Sequence, residues 1–168
     1  TIKFAVYALP GLVLLARGVV DAGAKGVDVQ VHGPRADIFD SGPSGAASHA
    51  QQLNWILSAV ERANIDVSCV GHRVVHGGKT YTHATPIDDA TLTELHRLSP
   101  LAPAHQPVNL AGIDAVARLW PHMPQAACFD TAFHRSIPRV AQLFPIPRAL
   151  SDAGLIRYGF HGLSYQHV

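Results

Sequence analysis

Four short stretches place charged or polar residues inside otherwise apolar sequence, and each has residue types that can do chemistry. The first runs from Gly71 to Gly78 and reads Gly-His-Arg-Val-Val-His-Gly-Gly. If it is a strand, alternate side chains share a face, so Arg73 and Val75 point one way and His76 points the other. A guanidinium is always charged and can hold a carboxylate or phosphate through two parallel hydrogen bonds. The stretch therefore predicts an anion site at Arg73, with a structural ion pair as an equally open alternative.

The other three stretches each contain a candidate residue with a simpler structural alternative. His105 lies just before a predicted helix, where a lone histidine is more often structural than catalytic. Asp130 follows the apolar run Gln125–Phe129, and strand carboxyl ends face the ligand crevice in open α/β sheets. A helix-capping aspartate is the alternative there. His161 lies between two glycines, which leave it room to meet a ligand.

Two patterns resemble known sites and fail on geometry or spacing. His72 and His76 are four residues apart, but on a strand they would lie roughly 13 Å apart and could not share one metal ion. The run Gly78–Thr80 resembles the end of a P-loop, yet Arg73 occupies the position of the required glycine. The eleven histidines are scattered rather than grouped with cysteines or carboxylates, so a histidine-rich metal-binding protein is disfavoured.

The composition is that of a globular domain and excludes several classes of partner. The 168 residues are 48% hydrophobic and 15% charged, with a formal net charge of +1. This balance offers no broad basic surface for nucleic acid, and no charge run or apolar stretch indicates a membrane. Cys69 and Cys128 both lie in apolar runs, which favours a reducing, cytoplasmic compartment. The sequence starts at Thr1, without Met and within a predicted strand, so we expect that residues precede it.

The elements that must position these residues follow an α/β pattern. An antiparallel meander comes first, with predicted strands at Lys3–Tyr7, Leu12–Ala16 and Val27–Val31 and a loop at Asp40–Gly45. Strands and helices then alternate. The predicted elements are a helix capped by Ser48, a buried strand at Val67–Val75, a helix from Asp88, a helix with Pro107 near its first turn, and a strand at Gln125–Phe129.

Taken together and in this order, the four stretches resemble the acetate kinase family. The resemblance rests on Gly-His-Arg-Val-Val-His-Gly-Gly, Leu-Ala-Pro-x-His-x-Pro-x-Asn-Leu-x-Gly-Ile, Phe-Asp-Thr-Ala-Phe-His and Tyr-Gly-Phe-His-Gly. It implies an actin-like ATPase or ribonuclease-H-like α/β fold, one of two such domains in the intact enzyme. Residues 1–168 would form the amino-terminal domain, with a phosphate-loop segment before it and an ATP-binding domain after it.

The resemblance also implies roles for individual residues. Arg73 would bind the acyl carboxylate and help neutralise the transferring phosphoryl group. His161 would donate a hydrogen bond to that group in the transition state, and Asp130 would orient the arginine or the nucleophile. His105 and Lys3 would support the transition state or the site structure.

Three further residues would form the acyl pocket in this family. Val75 and Phe160 would line the space for the methyl group. Ala104 stands where the family usually has leucine, and a smaller side chain there could admit propionate. Propionate kinase is therefore the first alternative, and a non-catalytic ligand-binding module with the same fold is the second.

The implied cofactors and partners follow from the same resemblance. ATP and Mg²⁺ would serve the full-length enzyme, with no metal ligand within these residues. Acetate or propionate would be the second substrate, and the full-length protein would be a homodimer. Without the ATP-binding part, the chain alone is expected to be inactive.

Overall fold

Six strands, six α-helices and three short 3₁₀ helices make up the regular structure of the described residues. The computed structural model describes residues 1–23, 26–39, 42–43 and 48–168. The strands are β1 (Ile2–Ala8), β2 (Val13–Gly23), β3 (Gly26–His32), β4 (Val70–Val74), β5 (Thr85–Pro86) and β6 (Gln125–Phe129). The helices are α1 (His49–Arg62), α2 (Asp89–Arg97), α3 (Gln106–Leu119), α4 (Arg139–Gln142), α5 (Arg148–Asp152) and α6 (Gly162–His167). The chain divides into two compact units, which are Thr1–Val67 with Ala115–Pro121, and Ser68–Asp114 with His122–Val168.

The first unit contains an antiparallel sheet in the order β1-β2-β3. Ala16 and Val20 are fully buried on one face of β2, as the two-residue period of a strand requires. Gly18 lies between them, and the ring of Phe4 occupies the space where a Cβ would be, 2.7 Å away. The core of this unit continues through the rings of Phe4 and Phe39, whose centroids are 4.7 Å apart and whose planes are tilted by 51°.

Helix α1 begins at a capping box, which satisfies backbone groups that the helix itself leaves without partners. The Ser48 hydroxyl accepts from the Gln51 amide, and the Gln51 side chain accepts from the Ser48 amide at 2.7 Å. Ile56, Ala59 and Val60 lie on the buried face of the helix and join the core of the first unit.

The second unit contains a mixed sheet in the order β4-β6-β5. Strands β4 and β6 are parallel and in register from Val70 opposite Gln125 to Val74 opposite Phe129. A parallel pair needs a crossover connection, and here it contains α2 and α3. The fully or almost fully buried core of this unit is formed by Val74, Leu95, Leu110, Ile113, Ala127 and Phe129.

The α/β pattern predicted from the sequence, an antiparallel meander followed by β-α alternation, is confirmed. Asp88 caps α2 by accepting from the Thr91 amide at 2.7 Å, and this bond lowers the pKa of the Asp88 carboxyl. Pro107 lies in the first turn of α3, and Gln125–Phe129 is a strand, both as predicted. The predicted loop at Asp40–Gly45 falls largely outside the described residues.

Two predicted strands have bounds that differ from those in the structure by more than one residue. The strand predicted to end at Ala16 continues to Gly23, because β1 and β3 pair with it on both sides. The strand predicted at Val67–Val75 is limited to Val70–Val74. Next to the residues that precede Val70, the segment leading into β6 has Pro124. Proline has no backbone N–H to donate to the hydrogen-bond ladder between the two strands.

Candidate active site

The site is built where β4 and β6 end side by side. Arg73 lies opposite Cys128 and Val74 lies opposite Phe129, so the residues that follow both strands are neighbours. The Asp130 amide donates to the Val74 carbonyl at 3.0 Å, which continues the pairing by one further bond. Burial alternates along β4 as predicted, because Val74 is fully buried while Arg73 is exposed. The register therefore brings the guanidinium of Arg73 to the carboxyl end of β6.

Arg73 and Asp130 form a bidentate ion pair. Arg73 Nε donates to Asp130 Oδ1 at 2.9 Å, and Arg73 Nη2 donates to Asp130 Oδ2 at 3.0 Å. The side chain of Asp130 is 6% exposed and that of Arg73 is 53% exposed. Nη1 takes no part in the pair, so a half-exposed guanidinium is held by one edge and keeps donors for an anion.

His161 lies against the same guanidinium. Its Nδ1 is 3.4 Å from Arg73 Nη2, and because arginine can only donate, Nδ1 is the acceptor. The neutral imidazole then carries its proton on Nε2. Arg73 and His161 thus present an arginine N–H and an imidazole N–H as adjacent donors.

The backbone at His161 adopts the left-handed conformation, with φ 58° and ψ 22°. Helix α6 begins at the next residue, and the Gly162 amide donates to the Asp130 carbonyl at 2.9 Å. A Cβ at Gly162 would collide with that carbonyl and with Phe133. The absence of a side chain at Gly162 therefore lets the segment lie directly on the end of β6.

Three polar side chains that the sequence did not single out fix the backbone just after β4. Asn109 Oδ1 accepts from the Val75 amide at 3.0 Å, and Thr131 Oγ1 accepts from the Gly77 amide at 2.9 Å. Gln106 is fully buried, accepts from the His76 amide at 3.1 Å and donates to the His76 carbonyl at 3.1 Å. For Gln106 and Asn109 the available signal is a polar residue at helical spacing from the apolar residues of α3, since buried polar groups need partners.

The two histidines of the first stretch have separate, local partners. His76 is buried, its Nδ1 accepts from the Gly78 amide at 2.9 Å, and burial lowers its pKa. The Nε2 of His72 is 2.7 Å from Gln125 Oε1. Burial lowers the pKa of His72, and the Gln125 bond opposes that shift in part. Both environments favour neutral imidazoles with structural roles.

The other predicted site residues lie at several places on the fold. Val75 is half-buried, and the exposed ring of Phe160 lies 5.9 Å from that of His76. Ala104 and His105 are exposed in the turn before α3, and no hydrogen bond among the described residues joins the His105 side chain to Arg73. Lys3 is exposed on β1 in the first unit.

A cavity of about 750 Å³ lies within the second unit, away from the Arg73 cluster. Its lining includes His76, Lys79, Leu98, Phe144, Tyr158 and Phe160. Arg73, Asp130 and His161 are not among the residues that line it. The cluster of Arg73, Asp130 and His161 at the strand ends is therefore separate from this cavity.

The part of the chain that the structure describes has neither a cluster of metal ligands nor a membrane-spanning helix. The described histidine, cysteine, aspartate and glutamate residues form no group of three or more that could hold a metal ion. Cys69 and Cys128 are free thiols. None of the described helices combines the length and apolar character that a membrane span requires.

Comparison with known proteins gives the family. The model of the acetokinase family matches residues 2–168. The chain belongs to the acetokinase family. The acetate kinase of Methylocella silvestris is 49% identical over 125 residues, which are 73% of this chain and 31% of that protein. The acetate kinase of Pseudarthrobacter chlorophenolicus is 38% identical over 176 residues, which cover 100% of this chain and 42% of that protein.

Solved structures of acetokinases share the fold. The acetate kinase of Porphyromonas gingivalis matches with a TM-score of 0.78 and 28% identity, over 97% of this chain and 43% of that one. The propionate kinase of Francisella tularensis matches with a TM-score of 0.84 and 26% identity, over the same shares. This acetokinase chain thus spans less than half the length of the relatives that it matches.

Proposed function

We propose that this chain forms the amino-terminal part of an enzyme that transfers a phosphoryl group reversibly between ATP and acetate, giving acetyl phosphate and ADP. The observation that carries the proposal is the cluster of Arg73, Asp130 and His161 at the ends of β4 and β6 in a member of the acetokinase family. Because the chain spans less than half of its relatives, the activity is proposed for a longer protein that contains it.

The chemistry requires positioning and positive charge more than a strong base. A carboxylate oxygen is already a nucleophile, and the transferring phosphoryl spreads negative charge over its equatorial oxygens. In our proposal Arg73 binds the acyl carboxylate and the equatorial phosphoryl oxygens through the N–H donors that Asp130 leaves free. His161 donates from Nε2 to the phosphoryl in the transition state, where a fixed donor is worth most. His105 is proposed to support this site.

The acyl group is proposed to lie against Val75 and Phe160, with Ala104 at the edge of the pocket. Ala104 is exposed, and a longer acid would place one more methylene there, at about 0.8 kcal/mol of burial. That small residue favours propionate as a second candidate substrate. A solved propionate kinase with the same fold is consistent with it.

Mg²⁺ and the wider context belong to the same proposal. The described residues offer no group of three metal ligands, and both oxygens of Asp130 are engaged by Arg73. They do not fit a protein-held Mg²⁺, so the ion is proposed to enter with the nucleotide phosphates. We further propose a cytoplasmic homodimer of the full-length protein.

A hydroxamate assay for acyl phosphate tests the proposal. Full-length protein and this chain alone would each receive MgATP with acetate or propionate. We expect acyl hydroxamate from the full-length protein only, and the preferred acid distinguishes the two candidate substrates. If the full-length protein forms none from either acid yet binds them, a non-catalytic binding module replaces the kinase.

A further inference from the structure

We propose that His134 is a positioning residue that holds His161 in place beside Arg73; the inference rests on the proposed function of His161. His134 lies in the 3₁₀ turn Phe133–Ser136, which begins three residues after Asp130. Its Nε2 is 2.9 Å from the carbonyl oxygen of Phe160. Because that oxygen can only accept, Nε2 carries the proton and donates.

The bond acts on the backbone at His161 directly. The carbonyl of Phe160 and the amide of His161 belong to one planar peptide group. A hydrogen bond to this oxygen therefore fixes the plane from which φ of His161 is set. That φ is 58°, a left-handed value which a residue with a side chain rarely adopts and which needs support from its surroundings.

The ring of His134 also shapes the segment by packing. A Cβ at Gly159 would collide with this ring, so the chain passes over the imidazole only because residue 159 is glycine. The ring is fixed edge-on by Phe133 and by Tyr165 of α6, with centroids 5.2 Å and 5.7 Å away. These contacts hold the imidazole in an orientation in which Nε2 points at the Phe160 carbonyl.

Two hydrogen bonds consequently tie the His161 segment to residues 130–134. His134 holds the Phe160 carbonyl on one side, and the Asp130 carbonyl accepts from the Gly162 amide on the other. With both bonds in place, Nδ1 of His161 faces Arg73 and Nε2–H remains available. Without the His134 bond, the peptide plane between Phe160 and His161 is free to rotate, and Nε2–H of His161 no longer points in one fixed direction.

Kinetics of the full-length protein test this role through His134→Phe, His134→Gln and His122→Phe. The phenylalanine keeps a ring above Gly159 and removes the donor, whereas glutamine places an amide N–H near the position of Nε2. Loss of one directional hydrogen bond predicts a decrease in kcat of about tenfold for H134F, with KM for the carboxylate changed less than about twofold. H134Q should recover most of that loss. H122F, at an exposed position, should retain the wild-type kcat.

A double-mutant cycle distinguishes positioning from an independent role. In a His161→Ala background, H134F should cause no further decrease in kcat, because the group that it positions is gone. The same tenfold decrease in that background would overturn the inference, as would a wild-type kcat in H134F. If H134F does not fold, His134→Asn, whose amide is too short to reach the Phe160 oxygen, takes its place in both comparisons.

A spectroscopic measurement on this chain separates the inference from the kinase proposal. Nitrogen-15 NMR of the imidazoles should show His161 as the Nε2–H tautomer in the wild type and as a mixture of tautomers in H134F. An unchanged His161 tautomer in H134F would overturn the inference even in an active enzyme. If the full-length wild type lacks kinase activity but the tautomer changes as described, the proposed function fails and the positioning role of His134 stands.

Discussion

Asp130 is more deeply buried than Arg73. This difference predicts that removing one charge of their ion pair lowers the free energy of unfolding more than removing the other. Arg73→Met keeps most of the aliphatic stem and deletes the guanidinium. Asp130→Asn keeps the shape of the side chain and deletes the charge. The side chain of Asp130 is 6% exposed and that of Arg73 is 53% exposed. Water can therefore replace the lost hydrogen bonds of the arginine, whereas the aspartate depends on the arginine for its hydrogen bonds.

The magnitudes follow from that difference. In Arg73→Met the carboxylate of Asp130 stays buried and loses both of its side-chain hydrogen bonds, at a cost of about 3 kcal/mol in the free energy of unfolding. In Asp130→Asn the guanidinium remains half in water, which replaces the lost bonds, so the cost is about 1 kcal/mol. The double variant has no buried charge left, so it should resemble Asp130→Asn alone rather than the sum of the two.

Urea denaturation of this chain measures these differences. With a slope of about 2 kcal/mol per M, the midpoint should fall by about 1.5 M in Arg73→Met and by about 0.5 M in Asp130→Asn. Asp152→Asn removes an exposed carboxylate and serves as the matched control, with a midpoint close to that of the wild type. A larger cost for Asp130→Asn than for Arg73→Met, or additive costs in the double variant, would refute the reasoning.

Four further predictions concern single positions. Gly162→Ala should lower the unfolding free energy by about 2 kcal/mol in urea, because its Cβ would collide with the Asp130 carbonyl; an unchanged midpoint would contradict this. Burial lowers the pKa of His76 from 6.5, so the unfolded state binds more protons below that pH and stability falls as the pH drops. His76→Asn should make this decline shallower in urea denaturations between about pH 7 and about pH 5, and an unchanged pH slope would count against it. Ser48→Ala should cost about 1 kcal/mol by removing the cap of α1, which a wild-type midpoint would disprove. Ala104→Leu should lower the kcat/KM ratio of propionate to acetate about fivefold in the full-length protein, and an unchanged ratio would remove Ala104 from the proposed acyl pocket.

The strongest local signals in the sequence predicted the elements well. Ser48 and Asp88, each followed by apolar residues at helical spacing, mark helix starts that form as expected, because capping depends on residues close in sequence. The strand Val70–Val74 was predicted too long at both ends. Its bounds depend on Pro124 and on the side chain of Asn109, which reach it only in the folded chain.

The candidate site shows the same division between local and long-range information. Strand parity correctly separated the exposed Arg73 from the buried Val74. The approach of Asp130 and His161 to Arg73 comes from the register of β4 with β6 and from the backbone bond at Gly162, which periodicity does not encode. The bond between His134 and Phe160 joins residues 26 positions apart and has no sequence pattern of its own.

The most direct test of the central claim is ATP formation from acetyl phosphate and MgADP by the full-length protein, with wild type and Arg73→Met measured in parallel. We expect the wild type to form ATP and the variant to be slower by at least about a hundredfold in kcat/KM, since it lacks the group that is proposed to hold the transferring phosphoryl. Equal rates in the two proteins would contradict the role of the Arg73 cluster. No ATP from the wild type would contradict the kinase itself.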